Sequence, residues 1–219
     1  MTEAGGTSSG KTTFLNALSD FIPADERVVV IEDSAELQLD GIENIVRMET
    51  KNANVQGAGE ITMRHLIKAS LRMRPDRIIV GEVRGGEVMD MINSMNTGHD
   101  GSLCTGHANS AEGMLSRLET MFLTAASFPI DAIRSQIAAA IDVIVHLGRM
   151  QDKSRKVLEI TEVESYTEGR IRLNPLFTYQ IREIDGVKTG RLERTDNLLH
   201  NTVRLERKGG TQENGAIIL

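Results

Sequence analysis

The 219-residue sequence specifies an α/β protein, with a mainly parallel sheet as its core and a small antiparallel β appendage at the carboxy-terminal end. Three observations predict this. Gly5-Gly6-Thr7-Ser8-Ser9-Gly10-Lys11-Thr12 fits the loop pattern G-x-x-x-x-G-K-[ST] at every fixed position. Val28-Val29-Val30-Ile31 and Ile78-Ile79-Val80 are apolar without alternation, as strands buried on both faces of a parallel sheet are. Past Gly148 the pattern changes to apolar–polar alternation broken by turn signals.

The loop comes first. Its glycines let the backbone curl so that successive N–H groups form an anion nest. Lys11 can reach β- and γ-phosphates, and the Thr12 hydroxyl can hold Mg²⁺. A helix starting here, continued by Thr13 to Leu18, adds its positive dipole end. Met1-Thr2-Glu3-Ala4 reads as polar coil, so the strand that ordinarily enters such a loop is expected to be missing.

Arg27 to Glu32 follows as a buried strand ending in the acids Glu32, Asp33 and Glu36. Ligands of open α/β sheets sit beyond the carboxyl ends of strands, so these carboxylates are placed to orient a water or hold a metal. Ile45 to Glu49 is a second short strand, and Lys51 to Gly59 a polar, mobile loop. Thr62 caps a helix with Met63, Leu66, Ile67 and Leu71 on one face, ended by Pro75. The strand from Arg77 ends at Gly81-Glu82. An Asp usually holds Mg²⁺ through water at this point of a nucleotide-hydrolysing site; here Glu82 must take that role or act as base.

A helix then buries Val88, Met91, Ile92 and Met95. Ser102 to Ala108 is a further strand, and Asn109-Ser110 caps a helix burying Met114, Leu115, Leu118, Met121 and Phe122. After Pro129, Ile130, Ile133, Ile137 and Ile141 fall in register, and Val143-Ile144-Val145 closes the core. His99, Cys104 and His107 offer three metal ligands but no fourth and match no zinc motif. The two histidines flank a strand suited to sensing phosphate or coupling subunits. An antiparallel section is expected over 153–195, a short helix over Asn201 to Glu206, and a frayed tail from Lys208. The division is a core at 5–150, a β-rich appendage at 151–208 and a tail at 209–219.

A formal net charge of −6 and 3% aromatic residues argue against a nonspecific nucleic-acid binder with stacking platforms. The single Cys104 rules out an internal disulfide and suits a reducing cytoplasm. No apolar stretch approaches the ~20 residues of a membrane span, and no signal peptide is visible, so membrane association is expected to run through partners or a surface patch.

Four blocks in order give the chain a family resemblance: Gly5 to Thr13, Ile31-Glu32-Asp33-Ser34-Ala35-Glu36-Leu37-Gln38-Leu39, Leu71 to Gly85, and Asn96 to Ser102 continuing through His107-Ala108-Asn109-Ser110. These resemble the phosphate loop, the "Asp box", the atypical Walker B block and the "His box" of the type II and type IV secretion ATPases. The likeness is closest to the CpaF/TadA-like motors of tight-adherence (Flp) pilus assembly. Gly106 departs from the β-branched residue usual there, and Ser8 from a frequent Gly.

The resemblance implies a RecA-like motor that assembles as a hexameric ring at the inner face of the cytoplasmic membrane. It would work with inner-membrane platform proteins and couple ATP hydrolysis to movement of pilin or another substrate. ATP and Mg²⁺ would be its cofactors, with Gly5, Gly6, Thr7, Ser8, Ser9, Gly10, Lys11, Thr12 and Thr13 around the nucleotide. Glu32 or Glu36 would polarise the attacking water, Glu82 would support Mg²⁺ or that water, and His107 would sense the γ-phosphate. The family's amino-terminal domain, which closes over the nucleotide and supplies arginines, does not appear in this sequence. Weak ATP binding and slow turnover are therefore expected, and the alternative function is a nucleotide-binding or oligomerisation module without hydrolysis.

Overall fold

A computed structural model describes residues 1–5, 9–184, 187–202, 211–213 and 216–218. The chain runs β1 (Thr2–Gly5), α1 (Lys11–Ser19), β2 (Val28–Glu32), β3 (Ile45–Glu49), α2 (Met63–Ser70), β4 (Arg77–Val80), α3 (Glu87–Asn96) and β5 (Leu103–Gly106). It continues through α4 (Ala111–Ala125), α5 (Ile130–Ala140), β6 (Val143–Arg149), β7 (Arg155–Thr167), β8 (Arg170–Ile184) and β9 (Val187–Arg194). These strands form one sheet in the order β3-β2-β4-β5-β1-β6-β7-β8-β9, parallel from β3 to β6 and antiparallel from β6 to β9.

The apolar runs behave as a doubly covered sheet requires. Val29 and Ile31 of β2 and Ile78 and Val80 of β4 face α2 to α5, packing with Met91, Met114, Phe122, Ile133 and Ile137. The alternate residues Val28, Val30 and Ile79 turn to the other side and pack with Leu15 of α1 and with Leu37, Leu39 and Ile42. Each strand thus feeds two cores, which is why it carries no polar alternation.

The strand expected to be missing is present. β1 pairs in parallel with β5 on one side and β6 on the other, in register Thr2↔Cys104 and Thr2↔Ile144. A central strand needs backbone pairing on both edges, whatever its side chains. Thr2 and Ala4 are wholly buried and small enough for this position, and the Thr2 hydroxyl finds Cys104 Sγ at 3.5 Å. The polar reading of Met1 to Ala4 therefore failed because hydropathy does not register a strand of small residues.

Other differences are local. Leu71 is not on the buried face of α2. The helix gives way there to a 3₁₀ turn over Leu71–Met73, leaving Leu71 exposed, and Arg74 turns left-handed (φ 53°) before Pro75. Ile130, at the first position of α5, is likewise exposed. Thr62 caps α2 as expected, its hydroxyl accepting from the His65 backbone N–H. The Lys51 to Gly59 loop closes on itself through an antiparallel bridge between Lys51 and Ile61.

The antiparallel strands extend the core sheet through β6 rather than standing apart, and α5 packs on β7 and β8. The β7–β8 turn has Glu168 and Gly169 both left-handed, as a two-residue hairpin requires. The expected turn at Asp185-Gly186 lies outside the described residues. Of the expected helix from Asn201, residues 201–202 carry no helix and 203–206 lie outside the described residues. In place of a frayed tail, β10 (Thr211–Glu213) and β11 (Ala216–Ile218) pair antiparallel.

Glu162 of β7 fastens the segment that follows β9. It is wholly buried, and its carboxylate accepts from the backbone N–H groups of His200 (3.1 Å) and Asn201 (2.7 Å) and from Asn174 Nδ2 (2.8 Å). Glu162, Glu164 and His200 also bring three potential metal ligands within 4.8 Å, but the amide donors already account for the buried carboxylate. Glu162→Gln puts an amide donor against donors, and should cost about 2 kcal/mol and lower Tm by roughly 5 °C. Thermal unfolding followed by circular dichroism checks this.

Candidate active site

Parallel pairing sets the carboxyl ends of β1, β2, β4 and β5 along one rim. Residues that leave those strands therefore converge: Gly10 and Lys11 after β1, Glu32 and Glu36 at and after β2, Glu82 after β4, and His107 after β5. They border one cavity of about 570 Å³, with Ser9, Thr12, Thr13, Asp33, Arg84 and Thr105. Gly5 is the last residue of β1. Gly6, Thr7 and Ser8 lie outside the described residues. His99 and Cys104 do not belong to the site. His99 precedes β5, at the opposite end from His107, with Nδ1 3.1 Å from the Ser94 carbonyl, and Cys104 is buried within the strand.

The phosphate side of the cavity is built by α1. Gly10 is left-handed (φ 100°) at its N-cap and offers no side-chain cap. The first N–H groups of a helix lack intrahelical acceptors, so an uncapped start is an anion site. Ser9 Oγ is buried and has no hydrogen-bond partner among the described residues. An orphaned hydroxyl, an open helix start and an ammonium side by side fit a bound phosphate chain.

The acid side is a connected set. Lys11 Nζ lies 3.3 Å from His107 Nδ1, and His107 Nε2 lies 2.6 Å from Glu82 Oε1. An ammonium can only donate, so Nδ1 accepts from Lys11. Nε2 lies at ion-pair distance from Glu82 Oε1 without hydrogen-bond alignment, and that buried oxygen has no hydrogen-bond partner among the described residues. Arg84 grips the other Glu82 oxygen through Nε (2.9 Å) and Nη2 (2.6 Å), and lies 3.7 Å from Asp33. The Glu82 hydrogen bond and charge raise the Arg84 pKa above its ordinary value. Glu82 is aimed by its loop: Thr105 Oγ1 donates to the Gly81 carbonyl, and Val83 N–H to the Thr105 carbonyl. Gly81 leaves room for Glu32, since a Cβ there would sit 3.0 Å from Glu32 Cγ and the carboxylate stem would have to shift.

The two Asp-box acids are not equivalent. Glu32 is buried, and its Oε1 accepts the backbone N–H groups of Glu36 and Leu37, both at 3.0 Å. Arg47 Nη1 donates to the Leu37 carbonyl and Asn16 Oδ1 accepts from Gln38 N–H, fixing the same loop. Glu36 is exposed, and its carboxylate makes no hydrogen bond or ion pair among the described residues.

The profile of the type II/IV secretion system protein family matches residues 2–198. The chain belongs to that family. Over 170 residues it is 43% identical to a putative conjugal transfer protein of Mycobacterium tuberculosis, covering 77% of this chain and 47% of the relative. It is 38% identical over 162 residues to the type IV secretion system protein PtlH of Bordetella pertussis, covering 72% and 48%. Among solved structures, the VirB11 ATPase of the Brucella suis type IV secretion system superposes with a TM-score of 0.66 at 36% identity, covering 74% of this chain and 48% of that one. The pilus retraction motor PilT, at 18% identity and a TM-score of 0.53, shares the fold. The chain spans about half the length of the curated relatives it matches.

Sequence reasoning missed three residues at this site. Arg84 lies inside a quoted block, yet nothing in its spacing showed that it would grip Glu82. Thr105 reads as an ordinary strand residue. Arg155 also borders the cavity, from the start of β7, and no sequence signal marks it.

Proposed function

We propose that this chain is an ATP-hydrolysing motor domain of a type II/IV secretion, conjugation or pilus-assembly system. The observation that carries it is the convergence of Lys11, Glu36, Glu82 and His107 on one cavity at an uncapped helix start. Lys11 and the N–H groups of α1 bind the phosphates. Thr12 would hold Mg²⁺ and Glu82 would support it or the attacking water; Mg²⁺, when bound, would neutralise charge on the phosphates. Of the two Asp-box acids, Glu36 polarises the attacking water, because its carboxylate is uncommitted, while Glu32 holds Glu36 in place. His107 joins Lys11 to Glu82 and so registers what occupies the phosphate site.

As the resemblance of its four motif blocks implies, the chain would act within a hexameric ring on the cytoplasmic face of the inner membrane, against platform proteins. No helix among the described residues is long and apolar enough to cross a membrane. The cargo is pilin or another secreted substrate, and the tight-adherence pilus assignment rests on the four motif blocks. Phosphate release from ATP by this chain, with Mg²⁺ and with Mg²⁺ chelated, tests the reading. Release that requires Mg²⁺ is expected. Nucleotide binding without hydrolysis would leave the non-hydrolysing module, and the absence of both binding and hydrolysis would overturn the motor reading.

A further inference from the structure

We propose that Arg155 is a nucleotide-binding residue that holds the phosphates nearest the nucleoside, those that ATP and ADP share. The inference rests on the nucleotide-binding reading above and adds a contact from the antiparallel part of the sheet.

The topology brings Arg155 to the site. β7 runs antiparallel to β6, and its first residue pairs with the last of β6, Arg149↔Arg155. The start of β7 therefore lies at the carboxyl rim, where Gly10 and Lys11 also lie. The stem of Arg155 is seated on Gly10: a Cβ built there would meet Arg155 Cδ at 3.2 Å, Cβ at 3.7 Å and Cγ at 3.9 Å. Contact with the bare face of Gly10 sets where the guanidinium goes, and Arg155 borders the same cavity as Lys11 and Glu82.

The charge of Arg155 is uncommitted. It is exposed and makes no hydrogen bond or ion pair among the described residues, whereas Arg84 in the same cavity is held by Glu82 and lies near Asp33. A planar guanidinium beside an open helix start matches two phosphate oxygens at once. Sheet order decides which phosphates. Glu82 and His107 enter from β4 and β5, on one flank of β1, and Glu36 follows β2 further out on that flank. Arg155 enters from the opposite flank, beyond β6. The reacting γ-phosphate belongs with the acids, so Arg155 meets the other end of the phosphate chain.

This separates binding from chemistry. Titration of the chain with N-methylanthraniloyl-labelled ADP and ATP in Mg²⁺ should show Arg155→Ala and Arg155→Gln weakening both by a similar factor, about tenfold. Arg155→Lys should recover part of the loss. The kcat at saturating ATP should change by less than about threefold, and Tm should not move, because the side chain is exposed. Unchanged ADP affinity in Arg155→Ala, with wild type binding normally, overturns this inference alone. Loss of kcat with ADP affinity intact also overturns it, placing Arg155 at the γ-phosphate. Failure of the wild-type chain to bind either nucleotide sinks both this inference and the reading beneath it.

Discussion

Glu82→Gln should lower kcat for ATP hydrolysis by on the order of 10²–10³-fold while ATP affinity changes by less than about threefold. The substitution keeps shape and volume and removes charge. In the native arrangement Arg84 donates to one carboxylate oxygen at 2.6 and 2.9 Å, and the other oxygen, which accepts no hydrogen bond among the described residues, lies 2.6 Å from His107 Nε2. A glutamine can still accept from Arg84. Its amide then places an uncharged N–H group beside His107 Nε2, where the carboxylate oxygen had attracted the ring. The relay from Lys11 through His107 to the acid is broken as the charge that supports Mg²⁺ or the water is lost. Binding survives because the phosphate contacts come from α1 and Lys11. Single-turnover phosphate release beside a labelled-ATP titration checks the split. A glutamine variant with wild-type turnover would remove Glu82 from the chemistry and leave it a scaffold for Arg84.

Lys11→Ala should raise the Kd for ATP about 10²-fold, corresponding to about 3 kcal/mol, and reduce phosphate release to background. Lys11 opens α1 at the open end of the helix dipole, so its ammonium and the first N–H groups address the same anion. Hydrogen bonds to charged groups are worth about 1.5–3 kcal/mol each, and a lysine at this place serves more than one phosphate oxygen. The fold should be spared, since Lys11 is only partly buried and the core contacts of α1 come from Leu15. Isothermal titration calorimetry with ATP and a thermal melt separate the two effects. Unchanged affinity would mean that the glycine turn does not cradle phosphate.

The elements that bury long side chains were legible. β2 and β4 announce themselves as unbroken β-branched runs, and α4 shows its buried face in Met114, Leu118, Met121 and Phe122 at helical spacing. β1 was not legible. Its burial rests on Thr2 and Ala4, whose small size is what a central position accepts and what a hydropathy reading discounts. The end of α2 was misjudged because the apolar pattern runs on to Leu71 while the backbone tightens into a 3₁₀ turn before Pro75. The β section was legible as alternation, but not its attachment, since alternation describes two faces of a strand and says nothing of which edge it joins.

Within the candidate site, sequence by itself determined the parts that a few neighbouring residues encode: a glycine turn followed by Lys11 and Thr12, and acids at the ends of apolar strands. These follow from backbone conformation, side-chain chemistry and short-range periodicity. Tertiary structure alone decided which parts meet and how each is employed: Glu32 anchors the loop that presents Glu36, Arg84 grips Glu82, His107 turns toward Lys11 while His99 stays away, and Arg155 returns to Gly10. Those outcomes depend on ladder pairings such as Thr2↔Cys104 and Arg149↔Arg155. Pairing of that kind joins backbone groups far apart along the chain, and backbone groups are the same at every residue. The side-chain pattern of one segment therefore does not name its partner.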